Sequence, residues 1–158
     1  MLEKLQELAR NLEAEKIPYS LIGGMAVLLY GGRSSTLDFD LYLLIDDWQA
    51  VPDRLAKHFE SLLPAGADQW KGRFHGIAVD LLRADPWIGK AVIKRARKKN
   101  LAGVRMRVAR PEDIIILKTL ADRPVDRRDI EELKEIFGAT LDKKLIRNEL
   151  ARVRRLLK

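Results

Sequence analysis

The stretch Leu37-Asp38-Phe39-Asp40-Leu41-Tyr42-Leu43-Leu44-Ile45 decides how the rest of the chain is read. Polar and apolar residues alternate through its first half, which is the period-2 signature of a β-strand. Alternate strand side chains point to opposite faces. Phe39, Leu41 and Leu43 therefore share a core face, and Asp38, Asp40 and Tyr42 share the other. Two carboxylates two residues apart on one face stand roughly 6–7 Å apart at the backbone. Their side chains can converge on an ion between them. Hard cations such as Mg²⁺ take oxygen ligands, often one or two carboxylates plus the phosphates of a substrate.

Working outward, Asp80 lies in the apolar run Ile77-Ala-Val-Asp-Leu-Leu. An acid in such a strand is costly unless paired, solvated or bound to a cation. If that strand neighbours the first, Asp80 completes a three-carboxylate cluster and serves as the base that takes a proton from an acceptor hydroxyl. Upstream, Gly23-Gly24 separates the short strand pattern Ile17–Ile22 from the apolar helix pattern Met25–Tyr30. Glycine lets phosphate approach the backbone closely, and a helix start presents free N–H groups to anions.

The remaining elements follow from periodicity and punctuation. Residues 2–15 read as an amphipathic helix, and Asp47 as the cap of a helix over Trp48–Leu63. Gln69–Phe74 and Ile77–Leu82 read as an antiparallel pair around His75-Gly76. Lys90–Lys99 reads as a basic helix and Val104–Val108 as a strand. Pro111 opens a helix running to about Asp122, followed by helices over Asp126–Phe137 and Leu141–Leu156. The class is α+β: a mixed sheet flanked by helices over residues 1–110, then a C-terminal helical extension over residues 111–158 packed on it.

The 158 residues suit one compact domain. There is no cysteine, so disulfides and thiolate metal sites are excluded. His58 and His75 make no metal pair, which argues against zinc chemistry. No apolar run approaches the ~20 residues needed to span a bilayer, and the N-terminus lacks the apolar core of a secretory signal. A cytoplasmic protein is expected. The formal net charge is +7. Nine Lys/Arg and no acid lie between Lys90 and Arg110. Lys90, Lys94, Arg95, Arg97, Lys98 and Lys99 are thus a candidate track for an RNA backbone or an acidic protein partner.

The segments Leu21-Ile-Gly-Gly-Met-Ala-Val and Gly32-Arg-Ser-Ser-Thr-Leu-Asp-Phe-Asp-Leu together resemble the nucleotidyltransferase superfamily, the polymerase-beta-like fold. Arg110-Pro-Glu-Asp-Ile-Ile-Ile-Leu-Lys and Asp126-Arg-Arg-Asp-Ile are similar to a narrower group, the small prokaryotic nucleotidyltransferases related to abortive-infection toxins. The resemblance covers residues 17–137. It implies transfer of an NMP from an NTP such as ATP to a hydroxyl of RNA, protein or a small molecule, with Mg²⁺ or Mn²⁺. By position it implies Asp38, Asp40 and Asp80 as metal-binding and catalytic carboxylates. It implies Gly23, Gly24, Arg33, Thr36, Lys118 and Asp129 around the nucleotide. It also implies a place in a toxin–antitoxin pair. Gly24 departs from the serine of many relatives and removes a hydroxyl from phosphate binding. Two rival readings are a nucleotide-binding or partner-regulating module of the same fold without catalysis, and a nucleic-acid-binding scaffold that uses only the basic face.

Overall fold

A computed structural model describes all residues, Met1–Lys158. Its centre is a seven-stranded mixed sheet in the order β3-β4-β5-β2-β1-β7-β6. The strands are β1 (Tyr19–Ile22), β2 (Phe39–Leu43), β3 (Ser61–Pro64), β4 (Gln69–Phe74), β5 (Ile77–Arg83), β6 (Arg97–Leu101) and β7 (Val104–Val108). The helices are α1 (Leu2–Ala14), α2 (Gly23–Leu29), α3 (Val51–Leu55), α4 (Gly89–Arg95), α5 (Pro111–Ala121), α6 (Pro124–Phe137) and α7 (Lys143–Leu156). The α+β class is as the patterning requires. No helix is long and apolar enough to cross a membrane.

The two strands that carry the acids sit at the middle of the sheet. β2 runs antiparallel to β1 and parallel to β5. Phe39, Leu41 and Leu43 are wholly buried, as their alternation predicts. The β4–β5 hairpin turns at His75 and Gly76, both with positive φ (47° and 80°). Two consecutive left-handed residues suit the twist of a two-residue hairpin. Ala102 and Gly103 repeat this geometry between β6 and β7. α1 buries Leu5, Leu8, Ala9 and Leu12.

Three expectations are corrected. The stretch Trp48–Leu63 is not one helix. It forms a 3₁₀ turn, the short α3, a second 3₁₀ turn and then β3. Asp47 makes no side-chain cap there. Tertiary pairing overrides helical periodicity in this stretch: β3 zips onto β4, and the Phe59 ring packs edge-on to Phe74 at 5.6 Å. The basic run Lys90–Lys99 is likewise not one helix. α4 ends at Arg95, and Ala96 turns extended. Arg97 donates to the carbonyls of Lys94, Arg95 and Ala96, while Arg107 donates to those of Ile93 and Ala96. These guanidinium groups satisfy the carbonyl end of α4. The chain then leaves as β6, which pairs with β7. The third correction is α7, which starts at Lys143, with the Asp142 side chain accepting from the Leu145 N–H at 2.9 Å.

Candidate active site

Asp40 and Asp80 are register partners across the parallel β2–β5 pair. Neighbouring strands lie about 4.8 Å apart, so register partners point their side chains to the same face side by side. Burial pushes the Asp40 carboxyl up to about 7, and the Asp80 charge, a hydrogen bond with Asp80 and the Asp38 charge add to it. The Lys118 ammonium pulls the other way. Gln69, opposite Leu82 at the start of β4, donates from Nε2 to Asp80 Oδ1 at 3.0 Å. That contact orients Asp80.

Asp38 is placed differently from its neighbours. It precedes β2, is exposed, and donates its N–H to Thr36 Oγ1 at 3.2 Å. The side chains of the three acids are not drawn into a tight cluster: no group of three or more carboxylates or imidazoles is close enough to hold a metal ion as it stands. The tight unit is the Asp40–Asp80 pair, with Asp38 at its edge.

Gly23 follows β1 directly and begins α2 with φ +71°. A Cβ there would overlap Oδ2 of Asp40. A Cβ on Gly24 would lie 2.6 Å from Ser34 Oγ and 2.8 Å from Thr36 Cγ2. The Gly-Gly pair is therefore what lets the Ser34–Thr36 loop close over the carboxylates. The Ser34 hydroxyl accepts from the Thr36 N–H at 3.4 Å. The backbone N–H of Arg33 donates to Glu132 Oε2 at 2.7 Å, tying this loop to α6, and the residue itself is exposed.

Lys118 lies on α5, 6% exposed. Its ammonium meets Asp126 at 3.3 Å and Asp129 at 2.8 Å. Asp126 also caps α6, accepting from the Arg123 backbone N–H at 3.1 Å and its guanidinium at 2.6 Å. Asp129 Oδ1 is buried with no hydrogen-bond partner. A buried unpaired carboxylate oxygen is rare and costly.

Two cavities open on the acids. One, of about 350 Å³, is walled by Gly24, Ser34, Ser35, Thr36 and Asp38. The other, of about 330 Å³, is walled by Ile22, Tyr42, Leu82, Ile114 and Leu117, with Gln69. Gly23, Asp40, Asp80, Lys118 and Arg123 line both. The structure thus brings together every expected site residue except Arg33, which lines neither cavity. Arg123 and Gln69 were not foreseen from the sequence. The Arg-Pro step that starts α6 was visible, but only the fold shows that its guanidinium faces the carboxylates. Gln69 becomes meaningful only once β4 is known to pair with β5.

The basic residues Lys90, Lys94, Arg95, Arg97, Lys98 and Lys99 line neither cavity. Arg95 is committed to Asp113 at 2.7 Å and Glu149 at 3.1 Å, Arg97 caps α4, and Lys98 meets Glu13 at 3.1 Å. The cations of β6 sit on an exposed edge strand, where charge discourages sheet-to-sheet association.

A mixed sheet with paired acids on adjacent central strands, and a Gly-Gly turn against them, defines a nucleotidyltransferase-type domain. Residues 73–155 match the family described as nucleotidyl transferase of unknown function (DUF2204), and the chain belongs to that family. The matched segment contains Asp80, Lys118, Asp126 and Asp129; Gly23, Gly24, Asp38 and Asp40 lie before it. No curated protein matches the chain by sequence. Among solved structures, the fold is similar to an antigenic nucleotidyltransferase-like protein from Paracoccidioides brasiliensis, with TM-score 0.62, 19% identity, and 99% of this chain and 89% of that one covered. It is also similar to ANT(2")-Ia in complex with adenylyl-2"-tobramycin, with TM-score 0.67, 13% identity, and 99% and 98% covered. A third is the lincosamide antibiotic adenylyltransferase LnuA, lincomycin-bound, with TM-score 0.65, 18% identity, and 85% and 96% covered. At these identities the likeness is one of fold.

Proposed function

We propose that this nucleotidyltransferase moves an NMP from an NTP to a hydroxyl acceptor with Mg²⁺ or Mn²⁺. The observation that carries this reading is the registered Asp40–Asp80 pair, with Asp40 pushed up to about 7 by burial and by its neighbour. Two acids forced together in a partly buried site repel unless one is protonated or a cation lies between them. The donor set is all oxygen, which fits a hard divalent ion. Asp40 and Asp80 would hold that ion, with Asp38 swinging in from the edge. Bound there, the ion would neutralise charge on the phosphates.

The residues of the chain then divide the work. Gly23 and Gly24 let the triphosphate approach the backbone, and the hydroxyls of Ser34 and Thr36 donate to its oxygens. Lys118 and Arg123 supply positive charge, and Asp129 holds Lys118 in place. Asp80, steadied by Gln69, takes the proton from the acceptor hydroxyl. The acceptor oxygen bonds to the α-phosphorus, the α–β bridging P–O bond breaks, and its electron pair leaves on pyrophosphate.

The test is transfer of label from each α-labelled NTP, with Mg²⁺, onto RNA, protein and small-molecule fractions of a cell extract. The control is a folded Asp38→Asn/Asp40→Asn variant. Label that vanishes with the variant supports the proposal. Mg²⁺-dependent NTP binding without transfer points to the non-catalytic module instead, and absence of both sinks the site assignment. The toxin–antitoxin role that the resemblance implies needs a cellular acceptor, so label on RNA or protein is the result that would support it.

A further inference from the structure

The two cavities that meet at Asp40 and Asp80 are chemically unlike. The first is walled by glycine and by the hydroxyls of Ser34, Ser35 and Thr36. A triphosphate needs such donors and close backbone approach. The second adds an apolar wall of Ile22, Leu82, Ile114, Leu117 and Ala121, with Tyr42, Gln69 and Asp126 as the polar side chains it does not share with the first. That wall offers a chain of phosphates no donors beyond the Lys118 and Arg123 that both cavities share. Asp80 lines both, so a hydroxyl entering from the apolar side meets the proposed base.

We infer that the acceptor is a small hydroxyl compound with an uncharged, largely apolar body, seated against Leu82, Ile114 and Leu117 and hydrogen-bonded by Gln69. The inference rests on the nucleotidyl-transfer reading of the site. The cavity, about 330 Å³, falls at the small end of ligand pockets (about 300–1,000 Å³). A polynucleotide acceptor would need unpaired cations along its backbone and exposed aromatic faces for its bases. The two cations beside Asp80, Lys118 and Arg123, are the ones assigned to the triphosphate, and no exposed aromatic face lines that cavity. Lys118 is held by Asp126 and Asp129, and Arg123 by Asp126. Tyr42 is 8% exposed, with its edge turned to Gly89. The cations of β6 stand three strands from β2, about 14 Å away at the usual strand spacing.

The experiment uses the whole chain, Mg²⁺, each α-labelled NTP and a cell extract divided into RNA, protein and small-molecule fractions. Leu117→Arg and the milder Leu117→Gln, each checked by thermal melting, place polarity in the apolar cavity. NTP binding is measured by calorimetry without the extract. The expected result is label in the small-molecule fraction, in products that partition toward organic solvent. Leu117→Gln should cut that transfer about tenfold or more and leave NTP affinity unchanged. Label on RNA or protein overturns the inference but leaves the transferase reading intact. So does an equal loss of NTP affinity in Leu117→Gln, which would mean that the apolar cavity holds the nucleobase. NTP binding with no labelled small molecule overturns it too. If wild type neither binds NTP nor releases pyrophosphate, the transferase reading itself fails.

Discussion

Gly23 and Asp40 face each other so closely that a Cβ on the glycine would overlap Oδ2 of the carboxylate. Gly23 also carries φ +71°, where a non-glycine residue is strained. Gly23→Ala should therefore cost about 1–3 kcal/mol of stability from strain and overpacking together. The larger effect should be on activity. Displacing Asp40 by about 1 Å is enough for a loss of about 100-fold. Gly24→Ala makes the useful contrast. Its Cβ would press on Ser34 Oγ and Thr36 Cγ2, at the ends of side chains in a loop, so it should raise KM for the NTP more than it lowers kcat. Steady-state kinetics and urea unfolding of both variants check this. Equal kinetic effects would show that the two glycines serve only the turn.

The Asp40 carboxyl sets a pH dependence that can be measured without substrate. Its folded value is raised from 3.8 to about 7, mainly by burial and then by Asp80. The folded state thus holds the proton more tightly than the unfolded chain does. Stability from this group is full below about pH 4 and is lost as pH rises through about 7. In EDTA, Asp40→Asn should be more stable than wild type at pH 8, by about 2–4 kcal/mol if most of the shift is realised. The difference should fade by pH 4. Adding Mg²⁺ at pH 8 should stabilise wild type and leave the variant unmoved. Parallel urea curves for the two proteins at pH 5 and pH 8 would sink the assignment.

Much of this site is legible in the sequence because its parts are local. The alternation through Phe39–Leu43 sets which side chains are buried, and β2 obeys it. Gly23-Gly24 marks the junction of strand and helix, and it opens α2. What cannot be read locally is partnership. Gln69 acquires its role from the β4–β5 pairing, and Arg123 from the way α6 packs on α5. The same limit explains the errors at Trp48–Leu63 and Lys90–Lys99. Both carry helical periodicity, and both are claimed in part by a neighbouring strand. The role of Arg95 within the basic run is hidden for a related reason. Charge density is visible in sequence, whereas the acids that neutralise Arg95 arrive from α5 and α7.

Lys118 joins stability to function and needs a variant pair to separate them. Its ammonium lies between Asp126 and Asp129, both buried. Lys118→Met leaves Asp129 without a cation and Asp126 with Arg123 alone, and should cost about 3–5 kcal/mol. Adding Asp129→Asn removes the stranded charge. The double variant should regain part of that loss, about 1–2 kcal/mol, because the buried charge was the larger penalty. NTP binding should stay absent in both. If the double variant recovers binding along with stability, Lys118 is a structural cation and does not reach the nucleotide.

Arg95 tests the opposite claim, that a residue of the basic run is structural. Its guanidinium takes both oxygens of Asp113, which is wholly buried, and reaches Glu149 on α7. Burial holds the Asp113 carboxyl above its ordinary range even though Arg95 pulls it down. Arg95→Met removes that pull and leaves an unpaired buried acid, at a cost of about 3–5 kcal/mol near neutral pH. An acid whose folded value is raised stabilises the fold at low pH and withdraws that stability as pH rises through the folded value. The variant should therefore recover relative to wild type on acidification, where Asp113 is protonated and needs no partner. Urea unfolding at pH 7.5 and pH 4.5 measures both terms. NTP affinity, measured where the variant is folded, should match wild type, because Arg95 lines neither cavity. A stable variant with weakened RNA binding would instead return this residue to a nucleic-acid surface.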